Sequence, residues 1–484
     1  MRADLAPVAL TALYLFAGAG LVAAAYGVPR DVRTAFSAAG LAYLAGLASV
    51  LLVSSWALVL GLPFRARTLV VVAGGIGAAG LMIAAWRQRE DPARRPPGPR
   101  GGQRPAGPRL RGRPPESYAV TLTGLALAAY LVVGLLASRV LPLAAWDSWS
   151  IWARKADLVF VHGTLPVDVL ASPQYAFAHP DYPMLVPLME TAWFRAVGNT
   201  TTQALHAQFW LLLVAFLLAG AFLARRVSPA AMWLPLLALV GVVPGVRDQL
   251  LTMYADVPMA MFLAIGALLG GLWLVGGRRS DLALAALFLA AAANSKNEGL
   301  SAAVATLAAL LVVVLTRPAA RKARAIAVAI TSGAVLTSVL PWHIWLSSHN
   351  IVGDTPLRKG LEPGYLVDRA WRVWPTVRAL AEQIGDGATW LYLVPLGLGV
   401  ALAGLATRRI REPSAYYLLS GVFVFTSLVW AYVITPDDLH WRLQTSANRV
   451  VVALVFLAVA ALLQLAGSML RGDAGGAHRA DGGS

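Results

Sequence analysis

The chain of 484 residues contains no cysteine. That excludes a disulfide framework, a thiolate metal site and a cysteine nucleophile, and leaves the redox compartment open. Charge is scarce as well: 13% of residues are Asp, Glu, Lys or Arg against 58% hydrophobic, and mean hydropathy is +0.65. A water-soluble fold of this composition would lack the polar surface to cover itself, so a lipid bilayer is its natural solvent. Acids number 24 against 40 bases, for a formal charge of +16. The bases sit between apolar runs and do not interleave with aromatics on amphipathic helices, which sets nucleic acid aside as a partner. Lysine is nearly absent, with four residues.

Apolar runs of about 20 residues, the length of a membrane crossing, fall near 5–27, 34–60, 68–86, 118–141, 203–223, 229–246, 250–275, 282–293, 299–316, 324–347, 389–406, 413–434 and 448–467. The expected fold is therefore an all-α polytopic membrane protein with about 13 transmembrane helices. The first run is expected to stay as a helix, because further spans follow at once. Arginine-rich loops at 87–113, 225–226, 278–279, 317–324, 408–411 and 471 all fall on one side, cytoplasmic by the positive-inside rule. Segments 142–202 and 348–388, with the short loop 435–447, then face outward. The expected divisions are three N-terminal helices (1–86), a disordered basic cytoplasmic linker (87–117), a transmembrane catalytic domain (118–470) and a disordered cytoplasmic tail (471–484). The apolar segment 183–198 breaks this count, since a crossing there would turn every later basic loop outward. It is expected to lie on or dip into the outer interface, with Trp193 and Arg195 at headgroup depth. Residues 146–161 form a second juxtamembrane helix.

Ionisable groups near the outer ends of spans are the candidates for chemistry. Asp147, in Trp146-Asp147-Ser148-Trp149, is either a functional acid held between indoles or a helix N-cap. His179 and Asp181, in His179-Pro180-Asp181-Tyr182-Pro183, offer an imidazole and a carboxylate that could cap the next helix, line a pocket or bind a metal or phosphate. Asp256, in Tyr254-Ala255-Asp256-Val257-Pro258, lies about one turn into a span. Lys296 follows a helix of roughly 14 apolar residues, ~21 Å long against a core of ~30 Å, so it sits below the outer surface, where Asp256 could pair with it. His343 ends a span at the outer face. Beyond Asp437-Asp438-Leu439-His440-Trp441, Arg449 begins the last span. An outward arginine at that depth wants an anion, and snorkelling to lipid headgroups is its plainer explanation.

The order of these segments resembles the GT-C superfamily of membrane glycosyltransferases, which includes the protein O-mannosyltransferases and the lipid A aminoarabinose transferases. The resemblance covers about residues 118–467. Asp147 stands where that family has an essential acid in a long first outer loop. His179-Pro180-Asp181-Tyr182-Pro183, with a helix ending in Val197-Gly198, is similar to its basic residue and prolines before a helix ending in Phe-Gly. Tyr254-Ala255-Asp256-Val257-Pro258 looks like its Asp-x-Pro segment, Lys296 its lysine-containing turn, and Arg449 the arginine before its last helix. The sequence departs from the family in having one acid at Asp147 where a pair is usual, and His179 where lysine is usual.

The resemblance implies transfer of a sugar from a polyprenyl-phosphate donor to a lipid, glycan or protein acceptor at the outer membrane face, with inversion. Asp147 would be the catalytic base, and Lys296, Arg449, His179 and Asp256 would handle the carrier phosphate. Trp146, Trp149, Asp181, Tyr182, Tyr254 and His343 would line the substrate pocket. It leaves a divalent metal ion as an open possibility. A transporter or flippase of lipid-linked sugars is the alternative, and predicts inverted repeats with broken helices at matching positions.

Overall fold

The computed structural model describes residues 2–29, 31–90, 115–138, 140–317, 321–353 and 359–480, and these are organised almost wholly as helices. Most of the expected linker at 87–117, the stretch 318–320 and the last four residues of the expected tail lie outside the described residues. Four long helices come first: α1 (Arg2–Tyr26), α2 (Val32–Val59), α3 (Ala66–Glu90) and α4 (Pro115–Ser138). A π-helical turn, Ser148–Trp152, then leads into α5 (Ala153–His162), α6 (Val167–Leu170) and α7 (Leu185–Val197). The bundle continues with α8 (Gln203–Ala224), α9 (Ala230–Val242), α10 (Pro244–Thr252), α11 (Asp256–Gly276), α12 (Arg279–Ala293), α13 (Asn297–Leu315) and α14 (Arg321–Ser348). Three short helices follow, α15 (Pro363–Asp368), α16 (Val373–Ile384) and α17 (Gly387–Trp390), before α18 (Leu393–Ala406), α19 (Arg411–Ile434), α20 (Leu439–Val450) and α21 (Val452–Ala480).

Among the described residues ten helices are long and apolar enough to cross a membrane, or eleven if the bent pair α9 and α10 counts as one crossing. The chain is a multi-pass, all-α membrane protein. Three of the expected spans fall short of that standard for different reasons. At Val243-Pro244 the proline has no N–H to continue a helix, and α9 and α10 meet at 51°. The 15 residues of α12 and the 14 of α18 reach only ~22 and ~21 Å.

Two expected boundaries move, and both moves matter for the site. The run 250–275 is not continuous: α10 ends at Thr252, Met253 takes a left-handed backbone (φ 57), and Asp256 becomes the first residue of α11. Pro258 suits that first turn, where its missing N–H costs nothing. The supposed loop 435–447 is largely the amphipathic helix α20, which carries Arg449 in its last turn.

Segment 183–198 does form a helix, but its expected interfacial placement is replaced by burial. Every residue of α7 from Leu185 to Phe194 is buried, Trp193 included, and the helix is packed among α1, α2, α5 and α8. Arg195 turns back to donate to the carbonyls of Val159 and Phe160 at 3.1 Å, so it serves the fold. Polar groups of α7 find partners inside the protein, Thr191 donating to the Ala156 carbonyl at 3.0 Å, which is what lets the helix be covered on all sides.

Lipid tails solvate leucine as well as protein does, so close packing and interhelical hydrogen bonds hold such a bundle together. Where α1 crosses α2, a Cβ at Gly46 would sit 1.8 Å from the Tyr14 carbonyl oxygen, and one at Gly18 1.7 Å from that of Ala42. In turn α2 packs on α8, α12 and α14, joining the first three helices to the rest. At one end of the bundle Arg226 binds Asp281 in a fork of 2.7 and 2.8 Å, and Tyr26 donates to the same carboxylate at 2.7 Å. That end also holds Arg317 and Arg324 against Glu412. The opposite ends of α11 and α12 carry the groups described next.

Two outcomes follow from this packing. Gly46→Ala forces α1 and α2 apart and lowers stability by about 1–3 kcal/mol, whereas Gly74→Ala, which meets nothing within 4 Å, leaves the thermal midpoint in detergent unchanged. Burial pushes the Glu190 carboxyl of α7 well above its ordinary 4.5, and its Oε2 has no partner. The folded state then keeps a proton that the unfolded chain releases, so this contribution is complete below pH 4.5 and is lost as pH rises towards the folded value. Glu190→Gln flattens the fall in unfolding midpoint measured from pH 4.5 upward.

Candidate active site

The segment 142–202 is built around the π-helical turn. Trp146 and Trp149 pack edge to face at 4.6 Å, and the Ser148 hydroxyl donates to the Thr252 carbonyl, tying the turn to the end of α10. Asp147 heads this turn without capping it. Its carboxylate instead binds Arg449, 302 positions later in the chain. Arg449 thereby has an anion inside the protein, and its guanidinium lies 4.6 Å from the Tyr254 ring centroid.

On α5 the buried Lys155 donates to the backbone carbonyls of His179 and, at 3.4 Å, Tyr182. This lysine fixes the His179–Tyr182 turn, in which His179 adopts a left-handed φ of 46°. The imidazole stacks on Tyr182 at 4.7 Å, and Tyr182 rests against Trp152 at 5.5 Å. Burial, helped by the charge of Glu298, pushes the Tyr182 phenol above its usual range, so it remains a neutral donor. His179 and Asp181 line the cavity but do not cap α7, whose N-cap position is held by Met184 with no side-chain cap. Asp181 Oδ2 accepts from Asn297 at 2.9 Å, and its backbone carbonyl accepts from the Trp342 indole at 2.8 Å.

Asp256 and Lys296 pair as expected, at 2.9 Å, and Glu298 adds a second carboxylate to the same ammonium at 3.2 Å. Burial opposes the charge on Lys296, but Asp256 and Glu298 outweigh it and raise its pKa above the lysine range. The short α12 ends in Asn294-Ser295, and the chain passes in extended conformation through Lys296 (φ −160, ψ 157) to begin α13. That turn is what aims Lys296 at the first residue of α11.

The charged groups Asp147, Asp256, Lys296 and Arg449 face one cavity of about 1120 Å³. Asp147, His179, Asp181, Tyr182, Tyr254, Asp256, Lys296, His343, Arg449 and Trp146 are all on its wall. Trp149 is the exception: it is 44% exposed and packs outside the cavity behind Trp146. Several charged or polar wall residues were not foreseen, Asn297, Glu298 and Arg442 among them. Asn297 and Glu298 flank Lys296, and Arg442 lies on the same face of α20 as Arg449, 3.4 Å from Asp437. The seven-residue spacing of Arg442 and Arg449 was the available signal, hidden by reading 435–447 as a loop. The exposed Trp146, Phe177, Val352 and Trp441 bring the wall to the protein surface.

Among the described residues no three His, Asp or Glu side chains come together as a metal site. The cavity's acids are engaged by Arg449, Lys296 and Asn297, so the donor set does not fit a divalent ion and no step below uses one. No protein family, curated protein or solved structure matches this chain.

The buried Asp256–Lys296 pair makes a measurable forecast. Lys296→Met leaves two carboxylates near one another without a cation, and costs about 3–5 kcal/mol. Adding Asp256→Asn recovers part of that loss, so unfolding in detergent gives a double-mutant cycle well short of additive.

Proposed function

We propose that the chain is a glycosyltransferase that moves a sugar from a polyprenyl-phosphate donor to an acceptor hydroxyl at the outer membrane face. The observation that carries this reading is convergence. Asp147, His179, Asp181, Asp256, Lys296 and Arg449, scattered over three hundred positions, line a single cavity. It lies at the end of the bundle away from the Arg226–Asp281 and Arg324–Glu412 clusters, the end that the positive-inside rule assigns to the outer face.

The groups divide by charge in a way that suits displacement at an anomeric carbon. Lys296, Arg442 and Arg449 offer three cations to a leaving phosphate, where negative charge grows as the C1–O bond breaks. The Arg449 side chain stays 17% exposed on the cavity wall, so its guanidinium can meet a second anion beside Asp147. Shared between carboxylate and phosphate, Arg449 would hold base and leaving group in a fixed relation. The acceptor oxygen attacks C1 from the side opposite the phosphate, its proton passes to the Asp147 carboxylate, and the bonding pair leaves with the carrier phosphate. Asp256 positions Lys296.

A transporter of lipid-linked sugars is favoured only by the break between α9 and α10. That architecture wants a second break at a matching position, and the described residues contain one such pair. Transfer of radiolabelled sugar by purified protein in detergent separates the two readings, since a transporter needs two compartments. Asp147→Asn, folded by its unfolding midpoint, is expected to lose about 10²–10⁴-fold in transfer rate, whereas Trp149→Ala stays near wild type. Full-rate transfer by Asp147→Asn would sink the assignment of the base.

A further inference from the structure

Four carboxylates line the cavity, and three of them have a cation: Asp147 has Arg449, and Asp256 and Glu298 share Lys296. Asp181 is different. It is 8% exposed, Oδ2 accepts from the Asn297 amide at 2.9 Å, and Oδ1 has no hydrogen-bond partner. A buried acceptor left unpaired is costly and needs a reason.

The surroundings hold this carboxylate in place and do not satisfy it. Asn297, first in α13, fixes one oxygen, and Trp342 of α14 fixes the backbone through the Asp181 carbonyl at 2.8 Å. Gly353, just after α14, closes the arrangement. A Cβ there would lie 2.6 Å from Oδ2 and 2.8 Å from Cγ of Asp181, so a larger residue would displace the carboxyl group from this position. Asn297, Trp342 and Gly353 therefore set one side chain on the cavity wall and leave one of its oxygens without a partner.

The chemistry of that occupant follows from what else is on the wall. An ionised carboxylate only accepts hydrogen bonds, so the occupant must donate. Lys296, Arg442 and Arg449 face the same space and disfavour another cation. A neutral hydroxyl donates without adding charge, and the exposed Trp441 on the same wall offers an aromatic surface to the C–H side of a sugar ring.

We propose that Asp181 is the sugar-recognising residue of the cavity, its under-satisfied carboxylate turning to accept a ring hydroxyl of the donor, with Gly353 and Asn297 as positioning residues. This rests on the cavity being the donor site. The two ends of the donor are then read separately: the cations bind the carrier phosphate, and Asp181 reads the sugar attached to it.

The test measures dissociation constants of the full chain in lipid nanodiscs for undecaprenyl phosphate alone and for the same carrier bearing glucose, mannose, galactose or arabinose. Wild type is expected to prefer at least one loaded carrier over the bare one. Asp181→Asn should weaken that loaded carrier by about tenfold or more and leave bare-carrier binding unchanged. Gly353→Ala, with the carboxylate still present but displaced, should do the same. Bare-carrier binding also reports folding, so if Asp181→Asn loses both ligands, Gly353→Ala decides. Parallel weakening of loaded and bare carrier in Gly353→Ala, no change in either variant, or no preference in wild type overturns the proposal. A wild type that binds no carrier at all removes the donor-site reading with it.

Discussion

A charge placed in a largely apolar bundle has to find an opposite charge, and that constraint organises this protein. Asp256 and Lys296 meet at 2.9 Å with both side chains almost wholly buried, and Asp147 meets Arg449 across 302 positions of sequence. Neither pair can form until α11, the turn before α13, the π-helical turn and α20 are all in place. An uncompensated ion in such surroundings costs several kcal/mol, so the pairs act as conditions on the fold as much as contributions to it. At the other end Asp281 imposes the same condition on Arg226 and Tyr26.

Cavity and core have the same origin. The breaks that stop helices short of a full crossing are what create polar space between them. Because α12 ends at Ala293, Lys296 can turn inward; because α10 ends at Thr252, Asp256 begins a helix at the cavity's edge. Lys155 performs a related task, spending its charge on two backbone carbonyls so that the His179–Tyr182 turn holds its shape. The result is a wall with three cations and four carboxylates, of which Asp181 is the one that makes no ion pair.

Read from the chain alone, the bilayer as solvent and the long helices were legible, because each residue's hydropathy acts locally and a span is a local run. Candidate site residues were legible for the same reason: Asp147, Asp256, Lys296 and Arg449 stand out against apolar neighbours. Helix ends were less so. Pro244, Met253 and the amphipathic face of α20 break or add elements inside stretches whose average hydropathy is uniform. Asn297, Glu298 and Arg442 were passed over, since polar residues near a helix end look solvated until a partner element covers them.

What the sequence settled, then, is that this chain belongs in a membrane as a multi-pass helical bundle, and which few residues carry charge where charge is expensive. The tertiary structure alone decided what those charges do. It decided between a cap and a free acid at Asp147 by pairing that residue with Arg449, buried α7 where an interface helix was expected, turned Trp149 away from the cavity, and set Gly353 against Asp181. Hydropathy is a property of each residue with its solvent, whereas pairing and exclusion depend on distances between residues far apart in the chain, and those exist only after the helices have packed.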